Sequence, residues 1–163
     1  MSQNSDLPHS GMKNKPYIGI IGASKINSEI EKIAYEVGKE IAKRGGIVIC
    51  GGLTGVMETA CKGAKETGGI TIGILPGFDR KEANPYLDFA ITTGLFEARN
   101  LIIVRTSDVL IAIAKGYGTL SEIAFALKLG KPVIGIGTWN NDLPLIVTKS
   151  GQEAVNKAWE IIK

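Results

Sequence analysis

The chain has 163 residues, 44% of them hydrophobic and 21% charged, with a net charge of +3. That length and balance fit a single globular domain with its own core. The charge is too small, and too free of Lys/Arg blocks, to argue for nucleic acid, and no apolar run nears the ~20 residues that span a bilayer.

Residues 1–15 are polar and are expected to form a flexible tail, with 16–163 as one domain. The tail lacks the apolar stretch of a signal peptide, and Met12 could also serve as a start. His9, the single histidine, falls in this tail, which argues against histidine catalysis and a His-rich metal site; no metal ligands are expected. Next, "YIGIIG" (Tyr17 to Gly22) reads as a short buried strand. "SEIE" (Ser28 to Glu31) fits a capping box with Ser28 as N-cap, and Ile30, Ile33, Ala34, Val37 and Ile41 follow at helical spacing. Gly45 and Gly46 end that helix, and "IVIC" (Ile47 to Cys50) is the second strand.

"GGLTG" (Gly51 to Gly55) is a loop, and "VMETACKGAKET" a helix closed by Gly68 and Gly69. "ITIGIL" (Ile70 to Leu75) is a strand, "PGFDRKEANPY" a loop, and "FAITT" (Phe89 to Thr93) a short strand at an edge or beside a ligand. "LFEARNLIIVRT" fits a helix presenting Leu95, Ala98, Leu101, Ile102 and Arg105 on one face. "VLIAIA" (Val109 to Ala114) is a fully buried strand, "TLSEIAFALKLG" a helix stopped at Gly130, "PVIGIG" the last strand and "GQEAVNKAWEIIK" a C-terminal helix. Strands that are continuous apolar runs belong to a sheet covered on both faces. Their alternation with helices predicts an α/β, doubly wound, mainly parallel Rossmann-like sheet with helices on both faces.

Ligands of such sheets bind beyond the carboxyl ends of the strands. The loops expected there are "GASK" (Gly22 to Lys25), "GGLTG", "PGFDR", "KGYGT" (Lys115 to Thr119) and "GTWN" (Gly137 to Asn140), and all contain glycine. Glycine loops at helix N-termini expose backbone N–H groups to an anion, and phosphate is the natural partner. Neither GxGxxG after the first strand nor GxxxxGK[ST] is present, so the ordinary dinucleotide and P-loop fingerprints are missing. In "KGYGTLSE", Gly116 and Gly118 permit close backbone approach. Thr119 either caps the helix or offers its hydroxyl to a phosphate, and Glu122 completes a T-x-x-E capping box or faces a ligand. Arg99 either shares a surface face with Glu97 or reaches the region of Glu122 from an adjacent helix. Cys50 and Cys61, outside any CxxC pair, read as reduced core thiols, consistent with a cytoplasmic location.

"GGLTGVMETACKGAKETGGITIGILPG", then "EARN", then "KGYGTLSE" closely resemble the Lonely Guy (LOG) and molybdenum-cofactor-carrier superfamily, over roughly Ile18 to Gly137. Lonely Guy enzymes are phosphoribohydrolases that cut cytokinin riboside 5'-monophosphates, and their signature is PGGxGTxxE with an upstream arginine. By that resemblance Gly116, Gly118, Thr119 and Glu122 match the signature, and Arg99 matches the arginine. The signature's proline and first glycine are Ala114 and Lys115 here, and the usual Arg-Lys pair is Arg99-Asn100. The "ARN…GxGTxSE" wording more closely resembles the carrier branch, whose oligomeric Rossmann-type members bind a pterin phosphate without transforming it. The "possible lysine decarboxylase" label of many members is nominal, since no pyridoxal phosphate lysine is readable.

Two readings follow. The first is a protein that binds a phosphorylated small molecule, a nucleotide monophosphate or a molybdopterin-type ligand, with no required cofactor. Its expected ligand-binding residues are Gly22, Ser24, Gly51, Gly52, Thr54, Gly55, Lys115, Gly116, Tyr117, Gly118 and Thr119. The second is a nucleoside 5'-monophosphate phosphoribohydrolase in which Glu122 orients water and Arg99 holds the ligand or helps the base leave. A DNA-binding relative has little support without basic patches. A homodimer or homotetramer is expected from the resemblance and from the apolar breadth of "LIIV" and "IAFALKL".

Overall fold

The computed structural model describes residues 14–163; residues 1–13 of the expected tail lie outside them. The elements are β1 (Tyr17–Gly22), α1 (Ser28–Lys43), β2 (Ile47–Cys50), α2 (Val56–Glu66), β3 (Ile70–Leu75), β4 (Phe89–Thr92), α3 (Asn100–Thr106), β5 (Val109–Ile113), α4 (Tyr117–Lys128), β6 (Val133–Ile136), β7 (Ile146–Thr148) and α5 (Gly151–Ile162). All strand pairs are parallel, in the order β4-β3-β2-β1-β5-β6-β7. This is the doubly wound α/β architecture that the apolar runs predict.

Two apolar layers cover the sheet. On one face Val37, Ala60 and Val155 of α1, α2 and α5 pack on Ile18, Ile20, Val48 and Ile111. On the other, Ile103 and Val104 of α3 and Ile123 and Ala126 of α4 pack on Ile21, Ile49, Leu110 and Ala112. Helices α1 and α2 touch backbone to backbone: a side chain at Gly38 would strike the Ala60 carbonyl, and one at Gly63 the Tyr35 carbonyl. The glycines of this pair are packing surfaces, not helix breaks.

Three expectations need correction. The N-cap of α1 is Asn27, not Ser28. Asn27 is extended and its Oδ1 accepts the Ile30 N–H at 2.9 Å, while Ser28 is already helical. The "LFEARNLIIVRT" segment is not one α-helix: a 3₁₀ turn at Phe96–Arg99 precedes α3. Three residues per turn instead of 3.6 rotates the buried face onto Arg99, Asn100, Ile103 and Val104, leaving Leu95 and Arg105 exposed. "PVIGIG" is not the last strand. β7 adds three residues at the edge with Val147 exposed, too short to show a period.

Candidate functional site

β1 and β5 lie side by side, paired from Ile18↔Val109 to Gly22↔Ile113. From β1 the sheet runs to β4 in one direction, and from β5 to β7 in the other. The crevice beyond their carboxyl ends is therefore the topological switch point, where open α/β sheets bind ligands. A cavity of about 200 Å³ occupies it.

After β5 the chain turns sharply through Ala114, whose φ of 64° lies in the left-handed region, a conformation that costs a non-glycine residue about 1–3 kcal/mol. Gly116 is then extended, and α4 begins at Tyr117 with no side-chain cap and no acid in its first turn. Its first N–H groups and positive dipole end are uncompensated at the cavity wall. Thr119 stands in that wall with its hydroxyl fully buried and without a partner. A buried hydroxyl without a partner costs about 1–3 kcal/mol, so this group is suited to a ligand atom. Because α4 starts at Tyr117, Thr119 is inside the helix and is not its N-cap. The T-x-x-E capping box is thus not formed.

Arg99 and Glu122 line the same cavity from the 3₁₀ turn and from α4. Arg99 is 9% exposed, so the surface Glu97/Arg99 face is not what the fold makes of it. Its Nε donates to the Ile74 carbonyl at 2.8 Å, Nη2 to the Gly51 carbonyl at 3.2 Å, and Nη1 to Asn100 Oδ1. The guanidinium therefore ties the ends of β2 and β3 to α3 while holding a fixed positive charge beside the cavity. Burial lowers its pKa, and the nearby Glu122 acts in the opposite sense. The ion pairs among the described residues do not include Glu122. Burial pushes its carboxyl up to about 8, and the Arg99 charge only partly offsets this. At neutral pH the protonated form of Glu122 is therefore favoured.

The structure brings Gly22, Ser24, Gly51, Gly116, Tyr117, Gly118 and Thr119 to the cavity wall, as expected from the sequence. Gly52, Thr54, Gly55 and Lys115 stand outside it. The Gly52 N–H is spent on Cys50 Sγ at 3.3 Å, and Thr54 Oγ1 donates to the Ser24 carbonyl at 3.4 Å. Gly55 has a φ of 73° and packs on the Ala23 and Ser24 backbone. Lys115 is exposed, with Nζ 5.4 Å from the Trp139 ring centroid. These four shape the neighbouring loops. Sequence reasoning missed Met57 and the role of Asn100, whose Nδ2 donates to Ser121 Oγ at 3.2 Å and links Arg99 to α4. Asn100 stood out in the sequence only as a departure from Arg-Lys.

Fold and cavity together define a doubly wound α/β protein with a glycine-lined site at the switch point. Within that class the chain belongs to the SLOG cluster4 family, which it matches over residues 15–160. It is 31% identical to a cytokinin riboside 5'-monophosphate phosphoribohydrolase of Mycobacterium tuberculosis, over 73% of this chain and 68% of that one. Its fold superposes with a TM-score of 0.87 on the molybdenum cofactor binding protein of Rippkaea orientalis, at 38% identity over 91% of this chain and 98% of that one. The molybdenum cofactor carrier protein of Chlamydomonas reinhardtii superposes with a TM-score of 0.84, at the same identity and coverage. The chain is a member of the LOG and molybdenum-cofactor-carrier superfamily.

Proposed function

We propose that this protein binds a phosphorylated small molecule, a nucleotide monophosphate or a pterin phosphate of the molybdenum cofactor kind, and releases it unchanged. The observation that carries the reading is the partnerless Thr119 hydroxyl at the uncapped N-terminus of α4, set in a wall of glycines. Phosphate satisfies that hydroxyl and the free N–H groups together. Arg99, pinned by three hydrogen bonds, contributes field rather than a mobile clamp. A protonated Glu122 lets a dianion approach without like-charge repulsion and offers it a donor. The likeness to carrier proteins supports the same reading.

Gly118→Val tests the cradle. A Cβ at 118 meets nothing of the protein within 4 Å, and its φ is not left-handed, so the variant is expected to fold. The added branch enters the open space beside the cavity that Gly118 lines, where an anion on the first N–H groups of α4 would sit. Overfilling a fitted space costs about 1–3 kcal/mol, or roughly 5- to 150-fold in calorimetric affinity for adenosine 5'-monophosphate. Unchanged affinity removes this loop from the site.

Hydrolysis of the N-glycosidic bond is the second reading. It is favoured by Arg99 and Glu122 lining one cavity and by the phosphoribohydrolase relative. Chromatography of a panel of nucleoside monophosphates incubated with the protein decides between the two. Intact monophosphates are expected. Free base released by wild type and absent with Glu122→Gln overturns carriage, since the amide cannot serve as a base and such a base contributes about 10²–10⁴-fold.

The reading includes a cytoplasmic homo-oligomer. Leu101, Ile102 and Phe125 on α3 and α4 stay only partly covered, with Phe125 37% exposed. Light scattering at micromolar concentration is expected to give a dimer or tetramer; a monomer defeats this part.

A further inference from the structure

A cavity of about 200 Å³ is small. Sites that enclose a whole drug-sized ligand measure about 300–1,000 Å³. This one has room for the phosphorylated end of such a ligand and not for the whole of it. Tyr117 lines the cavity mouth as the first residue of α4, and it is 86% exposed. It is not a loose surface tyrosine. Trp139, from the connection between β6 and β7, lies 25° from parallel to it with ring centroids 6.3 Å apart, an offset stack. The indole is fixed in turn: its Nε1–H donates to the Gly116 carbonyl at 3.0 Å, and Lys115 Nζ sits 5.4 Å from its centroid. Three contacts thus run from one half-buried tryptophan to three successive residues of the phosphate loop.

An aromatic ring left mostly bare to water beside a polar cavity, and backed by a second ring, is a preorganised stacking surface. We propose that Tyr117 is the platform on which a planar heteroaromatic ring of the ligand stacks, and that Trp139 is the positioning residue that holds this platform in place. The ligand class is accordingly a phosphate that carries a flat heteroaromatic ring. This inference rests on the proposed phosphate site at Gly116 to Thr119.

The test measures calorimetric affinities of inorganic phosphate, ribose 5-phosphate, adenosine 5'-monophosphate and guanosine 5'-monophosphate. The proteins are wild type, Tyr117→Phe, Tyr117→Ala and Trp139→Leu. Wild type is expected to bind both nucleotides roughly 5- to 150-fold tighter than ribose 5-phosphate, the range that one aromatic–base stack supplies. Tyr117→Phe keeps that gain. Tyr117→Ala abolishes it and Trp139→Leu reduces it, each read as the ratio of nucleotide to ribose 5-phosphate affinity within the same protein. A Trp159→Phe background leaves Trp139 as the sole tryptophan, and its emission should respond to the nucleotides and not to ribose 5-phosphate. Equal wild-type affinity for ribose 5-phosphate and both nucleotides overturns the platform and leaves the phosphate site standing. Equal weakening of all probes by Tyr117→Ala does the same. Failure of every probe to bind wild type overturns the phosphate site, and the platform with it.

Discussion

Glu122→Gln is expected to raise the melting temperature of the ligand-free protein, and by an amount that grows between pH 5 and pH 8. The carboxyl is 7% exposed, and burial lifts it to about 8 in the folded chain against an ordinary 4.5. Below 4.5 both states hold the proton and the group is neutral in its effect. Between 4.5 and 8 the unfolded chain releases the proton while the folded chain keeps it. Folding then takes up a proton, and stability falls as pH rises. At about 1.4 kcal/mol per pH unit, the cost reaches the order of 5 kcal/mol at the top of the window as an upper bound. Glutamine has the same shape and no charge to bury, so it escapes this cost. For a chain of this size about 2–4 °C accompany each kcal/mol, which makes a gain of several degrees at pH 8 and a small one at pH 5. Thermal scans of both proteins at matched ionic strength check it. A gain that stays flat with pH would mean that Arg99 holds the carboxylate ionised throughout.

That titration links stability to function. A carboxyl kept protonated at neutral pH by burial beside an arginine is a donor at rest. A base at this position must first be deprotonated, and a bound phosphate dianion opposes that step by placing negative charge nearby. The same reasoning predicts phosphate affinity that weakens as pH rises through about 8, which calorimetry with ribose 5-phosphate between pH 6.5 and 9 resolves. Affinity that strengthens over that range would place an ionised Glu122 in the bound state.

Much of this site was legible in the sequence because its chemistry is local. A buried run ending at Ala114, followed by glycines and then a helical period, can only be a strand, a tight loop and a helix N-terminus in that order. The β1 loop, with Gly22 and Ser24, was legible for the same reason. What escaped was set by contacts distant in sequence. Arg99 lies in the core because the chain enters α3 through a 3₁₀ turn, and no periodicity computed at 3.6 residues finds that rotation. Trp139 acts on Gly116 across 23 residues, from a loop whose sequence shows glycine, asparagine, aspartate and proline as turn formers and no sign of that contact. Gly52 and Gly55 looked like the phosphate glycines, but they serve a thiol and a backbone crossing instead. A glycine marks a close approach, and the sequence does not say what is approached.

Arg99→Ala is expected to cost more stability than any other single change at the site. The side chain satisfies the carbonyls of Ile74 and Gly51 and the amide oxygen of Asn100, all in the interior. Truncation leaves those acceptors without their donor at about 1–3 kcal/mol for each buried group and opens a hole beside Met57, which packs against the same loop. With three such acceptors orphaned, a loss of roughly 3 kcal/mol or more is the expected scale. Arg99→Lys should recover only part of it, because one ammonium cannot reproduce a planar fork aimed at three acceptors. Urea denaturation followed by tryptophan fluorescence measures both, with the slope held constant as the sign of an unchanged folding transition. The charge itself is separable from the hydrogen bonds. Arg99 is the group that draws the Glu122 pKa down, so without it the carboxyl is still harder to ionise. The gain from Glu122→Gln at pH 8 should therefore be larger in the Arg99→Ala background than in wild type, and the excess is the coupling between the two side chains. Wild-type stability in Arg99→Ala would show that the guanidinium is not part of the scaffold. Full additivity in the cycle would show that it exerts no field on Glu122, leaving the cavity without the positive charge that an anionic ligand requires.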